Sequence, residues 1–73
     1  MRFDGQMRFP KITLSAARKN VGLTQIDAAK RLGIATSTLR SWEQGNTYPG
    51  QPDIEKICAL YNLKYDYINF LPN

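Results

Sequence analysis

Two residue types that carry much of protein chemistry are nearly missing from this 73-residue chain. It has no histidine and one cysteine, Cys58. A single cysteine cannot form an internal disulfide, and without histidine or a second cysteine the chain cannot build a Cys/His zinc site. The lack of histidine also removes the commonest general base. We therefore predict no catalytic residues, no metal and no cofactor, in a protein that is not an enzyme.

Long apolar segments are also missing. No segment approaches the roughly 20 consecutive apolar residues that a membrane-spanning helix requires, and the N-terminus lacks the apolar stretch of a signal peptide. The length is that of one small domain. The sequence therefore predicts a cytoplasmic protein with no membrane partner.

The net charge of +4 is unevenly distributed along the chain. Residues 1–40 carry eight basic and two acidic residues, a balance of +6, whereas residues 41–73 carry two basic and four acidic residues, a balance of −2. A basic half of this kind is expected of a protein that binds phosphate groups. A solvated basic face without a ligand is the alternative, and charge alone does not distinguish the two.

Two short helices are predicted between Thr13 and Gly33. In the first, Leu14, Ala17 and Val21 recur at helical spacing and predict one buried face, with Thr13 as the N-cap. The second is predicted to begin after an N-cap at Thr24 and to end at Gly33. Its predicted inner face consists of Ile26, Ala29 and Leu32.

A third helix is predicted to begin near Thr36 and to bury Leu39 and Trp42. Turn-forming residues at 45–52 predict a loop, with Pro52 at the first position of a fourth helix.

A fifth helix is predicted to carry Tyr65, Ile68 and Leu71 before Pro72. The expected fold class is therefore all-α with five helices, preceded by an irregular N-terminal arm at residues 1–11.

Several motifs between residues 22 and 45 occur together in the register of a known family. They are Gly22-Leu23-Thr24-Gln25, Ala29, Leu32-Gly33, Thr38-Leu39, Trp42-Glu43 and Gly45. This set resembles the phage repressor and Cro-type helix-turn-helix DNA-binding family, in which a short turn containing glycine joins two helices. The resemblance covers residues 12–71. It implies a lambda-repressor-like, helix-turn-helix DNA-binding domain over residues 12–73, with double-stranded DNA as the partner.

The function that the resemblance implies is sequence-specific transcription regulation. A Cro-like protein or a modulator of a phage or prophage genetic switch would place helix three in the major groove of an operator half-site, commonly as a homodimer. The small size of the chain favours such a protein over a full-length repressor. It would act in the cytoplasm of a bacterial host cell, associated with the nucleoid.

The resemblance also implies which residues contact DNA. They are Gln25, Thr36, Ser37, Arg40 and Ser41. Lys30 is a further candidate for a phosphate contact, and so is Asn46, for which the loop offers its backbone amides, Tyr48 and Gln51 as alternatives. Gln25 would bond a phosphate and brace helix three, and Arg40 would form two hydrogen bonds with a guanine. For Lys30, a phosphate contact and ordinary solvation both stay open. We call Thr36, Ser37, Arg40 and Ser41 the recognition surface.

One further pair of positions is implied to be structural. Arg18 and Glu43 match family positions that form a partly buried ion pair between helices one and three.

The chain departs from the family pattern at three places. Ala35 and Lys64 stand where the family places capping residues, and the loop at residues 46–51 has no Lys or Arg.

The alternative function is therefore a protein-interaction module of the same fold. It would bind a partner repressor or a host factor through the aromatic C-terminal third, which includes Phe70 and Leu71, with weak or no DNA binding. The same third is a candidate homodimer surface.

Overall fold

The computed structural model describes residues 11–69, and for Tyr65 and Asn69 it describes the backbone alone. The elements of this part of the chain are β1 (Ile12–Thr13), α1 (Leu14–Asn20), α2 (Gln25–Leu32), α3 (Thr36–Glu43), α4 (Gln51–Tyr61), a 3-10 turn (Tyr65–Tyr67) and β2 (Ile68–Asn69). The predicted arm up to residue 10, together with Phe70, Leu71 and Pro72, lies outside the described residues.

The predicted caps of the first two helices are confirmed. The Thr13 hydroxyl accepts a hydrogen bond from the Ala16 amide at 3.1 Å, and the Thr24 hydroxyl accepts one from the Asp27 amide at 3.1 Å. Both bonds satisfy amides that a helix start leaves without an intrahelical partner. Gly33 ends α2 in the left-handed conformation, with φ of 74°.

A small hydrophobic core lies between the helices. Its buried residues are Leu14, Ala17, Ala28, Ala29, Leu32, Leu39, Trp42, Ile57, Tyr61 and Ile68. The predicted burial of Leu39 and Trp42 on α3 is confirmed, with exposures of 0% and 6%. Two adjacent alanines on α2, Ala28 and Ala29, are fully buried and leave room for neighbouring helices to approach closely. None of the helices within residues 11–69 has the length and apolar character that spanning a bilayer requires.

Two residues predicted to be buried are exposed. Val21 is 39% exposed because α1 ends at Asn20, so that Val21 lies beyond the last helical residue. Ile26 is 61% exposed. The buried stripe of α2 runs through Ala28, Ala29 and Leu32, and at about 100° per residue Ile26 lies about 110° from its centre. The polar residue Gln25, not Ile26, falls on the inner face.

The predicted start of the fourth helix is wrong by one residue. Gly50 is the N-cap of α4, which places Gln51 first and Pro52 second in the helix. Gly50 has the extended backbone of a cap, and its carbonyl accepts a hydrogen bond from the Ile54 amide at 2.9 Å.

Four α-helices, not five, occur among the described residues. In place of the fifth helix, the chain forms the 3-10 turn at Tyr65–Tyr67 and then β2, which pairs in parallel with β1 so that Ile68 faces Ile12. No strand is predicted from the sequence, but this segment is rich in Tyr, Ile and Asn, which favour extended structure or turns over helix. The pair is two residues long on each side and leaves the all-helical class unchanged.

The start of α3 lacks a side-chain cap. Ala35 has the extended backbone of an N-cap, with φ of −73° and ψ of 147°, but no side-chain oxygen to accept from the helix amides. We therefore expect Ala35→Ser to raise the free energy of unfolding by about 0.5–2 kcal/mol. Urea unfolding followed by circular dichroism measures this change.

A matched alanine on the same molecule serves as the control. Ala59 is exposed within α4, so Ala59→Ser adds the same hydroxyl where no helix begins. This control should lower stability by a few tenths of a kcal/mol, because serine is the poorer helix former. Equal effects of the two substitutions would contradict a capping role for position 35.

Candidate nucleic-acid interface

The turn between α2 and α3 fixes the relative placement of these two helices. The amides of Gly33 and Ile34 donate to the carbonyls of Lys30 and Ala29, at 3.2 and 3.0 Å. This pair of bonds is the Schellman motif, which needs a left-handed residue at the position of Gly33. Ala35 then starts α3 without further linker. The two helices are therefore joined by a short turn with a defined geometry.

The residues that were predicted to contact DNA differ in exposure. Lys30, Ser37, Arg40 and Asn46 are exposed, whereas Gln25, Thr36 and Ser41 are half-buried. A groove between the starts of α2 and α3 brings several of them together. It is lined by Arg18, Lys19, Leu23, Thr24, Gln25, Ile26, Thr36 and Arg40. Lys30, Ser37, Ser41 and Asn46 do not line this groove.

A buried ion pair joins α1 and α3, and its Arg18 also lines this groove. The Arg18 Nε donates to Glu43 Oε2 at 2.8 Å, and a terminal guanidinium nitrogen donates to Oε1 at 3.2 Å. The second terminal nitrogen donates to the Leu23 carbonyl at 2.9 Å. The side chains of Arg18 and Glu43 are 9% and 6% exposed. The ion pair implied by the family resemblance is therefore present.

Gln25 joins the same network. Its amide nitrogen donates to Glu43 Oε1 at 3.0 Å, so that α2 is bonded to the last residue of α3. The Glu43 carboxylate thus accepts three hydrogen bonds, two from Arg18 and one from Gln25. An amide nitrogen carries two hydrogens, and the second one on Gln25 can still donate to another acceptor.

The electrostatics of Arg18 follow from this geometry. The hydrogen bond to Glu43 raises the pKa of the guanidinium above its ordinary value. Desolvation by burial acts to lower this pKa, and the negative charge of Glu43 acts to raise it. A buried charge is tolerated when its hydrogen-bonding groups are satisfied, as they are here.

A buried hydroxyl lies near this ion pair without a partner of its own. Tyr61 on α4 is 2% exposed, and its hydroxyl makes no hydrogen bond among the described residues. Desolvation raises the pKa of the phenol to about 12, and the charge of Glu43 contributes in the same direction. The ring belongs to the core, but its hydroxyl adds an unsatisfied polar group to it.

We expect Tyr61→Phe to leave the free energy of unfolding at pH 7 unchanged or to raise it by up to about 1 kcal/mol, because a buried unpaired hydroxyl carries a desolvation cost. The pKa of the phenol is about 10 in the unfolded chain and about 12 in the folded protein. The parent protein should therefore also lose stability as the pH rises from about 10 to about 12. The variant should lack this part of the loss.

Urea titrations of both proteins at pH 7 and between pH 10 and 12 measure these differences. A loss of more than about 1 kcal/mol at pH 7 in the variant would mean that the hydroxyl is bonded in solution.

One hydrogen bond of the recognition surface could not be predicted from the sequence. The Ser41 and Thr47 hydroxyl oxygens lie 2.8 Å apart, which links α3 to the loop before α4. The Asn46 side chain donates to Gln44 Oε1 at 3.2 Å within the same loop. A hydroxyl pair six residues apart gives no periodic signal, so Thr47 could be found only from the folded chain.

The single cysteine does not line the groove that contains Gln25, Thr36 and Arg40. Cys58 is half-buried on α4, and desolvation raises the pKa of its thiol. Within residues 11–69, no group of three or more His, Cys, Asp or Glu side chains is placed to hold a metal ion.

Comparisons with known proteins agree with this geometry. A family profile described as helix-turn-helix matches residues 14–68. The chain is 34% identical over 55 residues to the HTH-type transcriptional regulator ImmR of Bacillus subtilis (strain 168), across 75% of this chain and 43% of that protein. It therefore spans less than half the length of this relative. No solved structure matches the chain significantly. On this evidence, the chain belongs to the repressor and Cro-type helix-turn-helix family.

Proposed function

We propose that this protein is a sequence-specific DNA-binding transcription regulator of bacterial cytoplasm, Cro-like or a modulator of a phage or prophage switch. Its α3 lies in the major groove of an operator half-site. The supporting observation is the placement of α3, which is tied to α1 and α2 by the Arg18–Glu43–Gln25 network and leaves Ser37 and Arg40 exposed. A helix held in this way loses little conformational freedom when it binds.

The phosphate contacts in this proposal come from Gln25, Lys30 and Asn46. Gln25 is held by Glu43 with one amide hydrogen still available to a phosphate oxygen. Lys30 is exposed on α2 and adds a positive charge, and the side-chain amide of Asn46 is exposed in the loop after α3. Such contacts set the register of a protein on DNA and carry no sequence information themselves.

The base contacts come from three residues of the recognition surface, Thr36, Ser37 and Arg40. Arg40 is exposed, and its guanidinium makes no hydrogen bond or ion pair with other described residues. Two of its N–H groups can therefore donate to O6 and N7 of one guanine. Thr36 and Ser37 are the first two residues of α3, the end that contacts base edges in helix-turn-helix complexes.

We also propose that two copies bind a partly palindromic operator, with half-sites about 34–36 Å apart. Tyr48, in the loop after α3, is 59% exposed and available for a contact between the two protein chains. Burial of Tyr61 removes one tyrosine from the aromatic C-terminal surface on which a partner repressor or host factor would bind. We therefore treat protein binding without DNA binding as the alternative outcome of the test.

The test is in vitro selection of bound DNA, followed by fluorescence anisotropy on the selected and scrambled duplexes across a salt series. We expect the selected duplex to bind at least about 10³-fold more tightly, with two chains per operator. The affinity should fall as the salt concentration rises, because phosphate contacts release counterions. Equal affinity for both duplexes would reject the proposal. Tight binding of a partner protein, without DNA discrimination, would favour the interaction module.

A further inference from the structure

The Ser41 side chain is directed to the loop before α4. Its hydroxyl oxygen lies 2.8 Å from that of Thr47; Ser41 is half-buried and Thr47 is exposed. The backbone of Ser41 is tied to the same loop, since its carbonyl accepts the Asn46 amide at 3.0 Å. Two bonds thus hold the end of α3 and the loop together at one residue.

The position of Ser41 within α3 favours the same role. Ser41 is the sixth of eight residues in α3, whereas the N-terminal residues of a recognition helix are the ones that contact base edges. Arg40, one residue earlier, has a long side chain that can reach from this part of the helix. Serine does not have that reach.

The composition of the loop explains why such a bond would matter. Residues 44–50 contain no Lys or Arg, so no charged side chain of the loop can draw it to phosphates. Its placement relative to α3 depends on neutral bonds, on the turn at Gly45 with φ of 78°, and on buried Pro49.

From these contacts we infer that Thr47 is a positioning residue, which holds Ser41 against the loop and away from the bases. Specificity then comes from Thr36, Ser37 and Arg40, and Ser41 is not a base contact. This inference rests on the proposed function, because it states which residues of the recognition surface contact bases in a DNA-binding protein. It also departs from what the family resemblance implies for Ser41.

The experiment compares Ser41→Ala, Thr47→Val and the double variant on the selected operator and on its single-base-pair substitutions. Each single variant should lower affinity about two- to tenfold on every sequence, as expected for one lost hydrogen bond, without altering base preference. The double variant should bind no worse than either single one, because both remove the same interaction. Thr47→Ser keeps the hydroxyl and should bind like the parent.

A changed preference at one base pair in Ser41→Ala, with Thr47→Val unchanged there, would overturn the inference, because Ser41 would then contact a base. Additive losses in the double variant would overturn it as well, since the two hydroxyls would then act independently.

A second measurement needs no DNA. The Asn46 amide, bonded to the Ser41 carbonyl, should exchange its hydrogen about two- to tenfold faster in Ser41→Ala and in Thr47→Val than in the parent and in Thr47→Ser. Unchanged exchange in both variants would overturn the inference. If the parent did not discriminate between DNA sequences, the proposed function would fail, while this exchange result would still report whether the hydroxyl bond is formed.

Discussion

Replacement of Arg18 by methionine is expected to lower the free energy of unfolding by about 3–5 kcal/mol, the usual cost of leaving one partner of a buried ion pair alone. Methionine keeps most of the apolar stem, but it removes both bonds to Glu43 and the bond to the Leu23 carbonyl. A domain of this size has a total stability of about 4–11 kcal/mol, so the loss should remove a large share of it. Urea unfolding, followed by the fluorescence of buried Trp42, measures the loss.

Two further variants make this prediction specific to the ion pair. Lys19→Met also replaces a positively charged side chain by methionine, but at the next residue, which is exposed. It should alter the free energy of unfolding by less than about 0.5 kcal/mol. Arg18→Met combined with Glu43→Leu removes both charges and should regain most of the loss, because two apolar side chains can replace a buried pair. A double variant as unstable as the single one would show that the uncompensated charge of Glu43 is not the cause.

The parts of this fold that could be predicted from the sequence depend on local chemistry. Thr13 and Thr24 cap their helices, and Gly33 ends α2, because these roles are decided within a few residues of the chain. Leu39 and Trp42 lie three residues apart on one face of α3, which is sufficient to predict their burial.

The parts that could not be predicted depend on contacts between distant residues. The apolar character of Ile26 assigned it to the inner face of α2, yet Gln25 lies there and bonds to Glu43, a partner 18 residues away in the sequence. The C-terminal segment pairs with Ile12, more than fifty residues away, and local helical spacing carries no information about such pairing. The placement of Arg18 and Glu43 was available only from the family resemblance.

The recognition surface also has features that could be predicted from the sequence and one that could not. Helical spacing correctly separated its polar side chains from Leu39 and Trp42, which are buried. It could not separate Ser41 from Ser37, because both are small hydroxyl residues one turn apart. The bond to Thr47 distinguishes them, and that bond requires the loop to return to α3.

Arg40→Ala is expected to remove discrimination at one or two base pairs of the operator, by about 1–3 kcal/mol. The physical reason is that the guanidinium of Arg40 can donate two parallel hydrogen bonds to O6 and N7 of one guanine, and no other base offers that pair of acceptors in the major groove. Anisotropy measurements on the selected operator and on each of its single-base-pair substitutions identify the affected position.

The charge of Arg40 can be separated from its shape. Arg40→Lys keeps the positive charge but loses the planar two-pronged donor, so the salt dependence should stay as in the parent while discrimination falls. Gln25→Ala and Lys30→Ala should instead weaken binding to all sequences about equally. Lys30→Ala should also reduce by about 1 the slope of the logarithm of the binding constant against the logarithm of the salt concentration. If Arg40→Ala weakened every sequence equally and Arg40→Lys restored the affinity, Arg40 would be a phosphate contact. Sequence discrimination would then have to come from Thr36 and Ser37, whose hydroxyls distinguish bases less sharply.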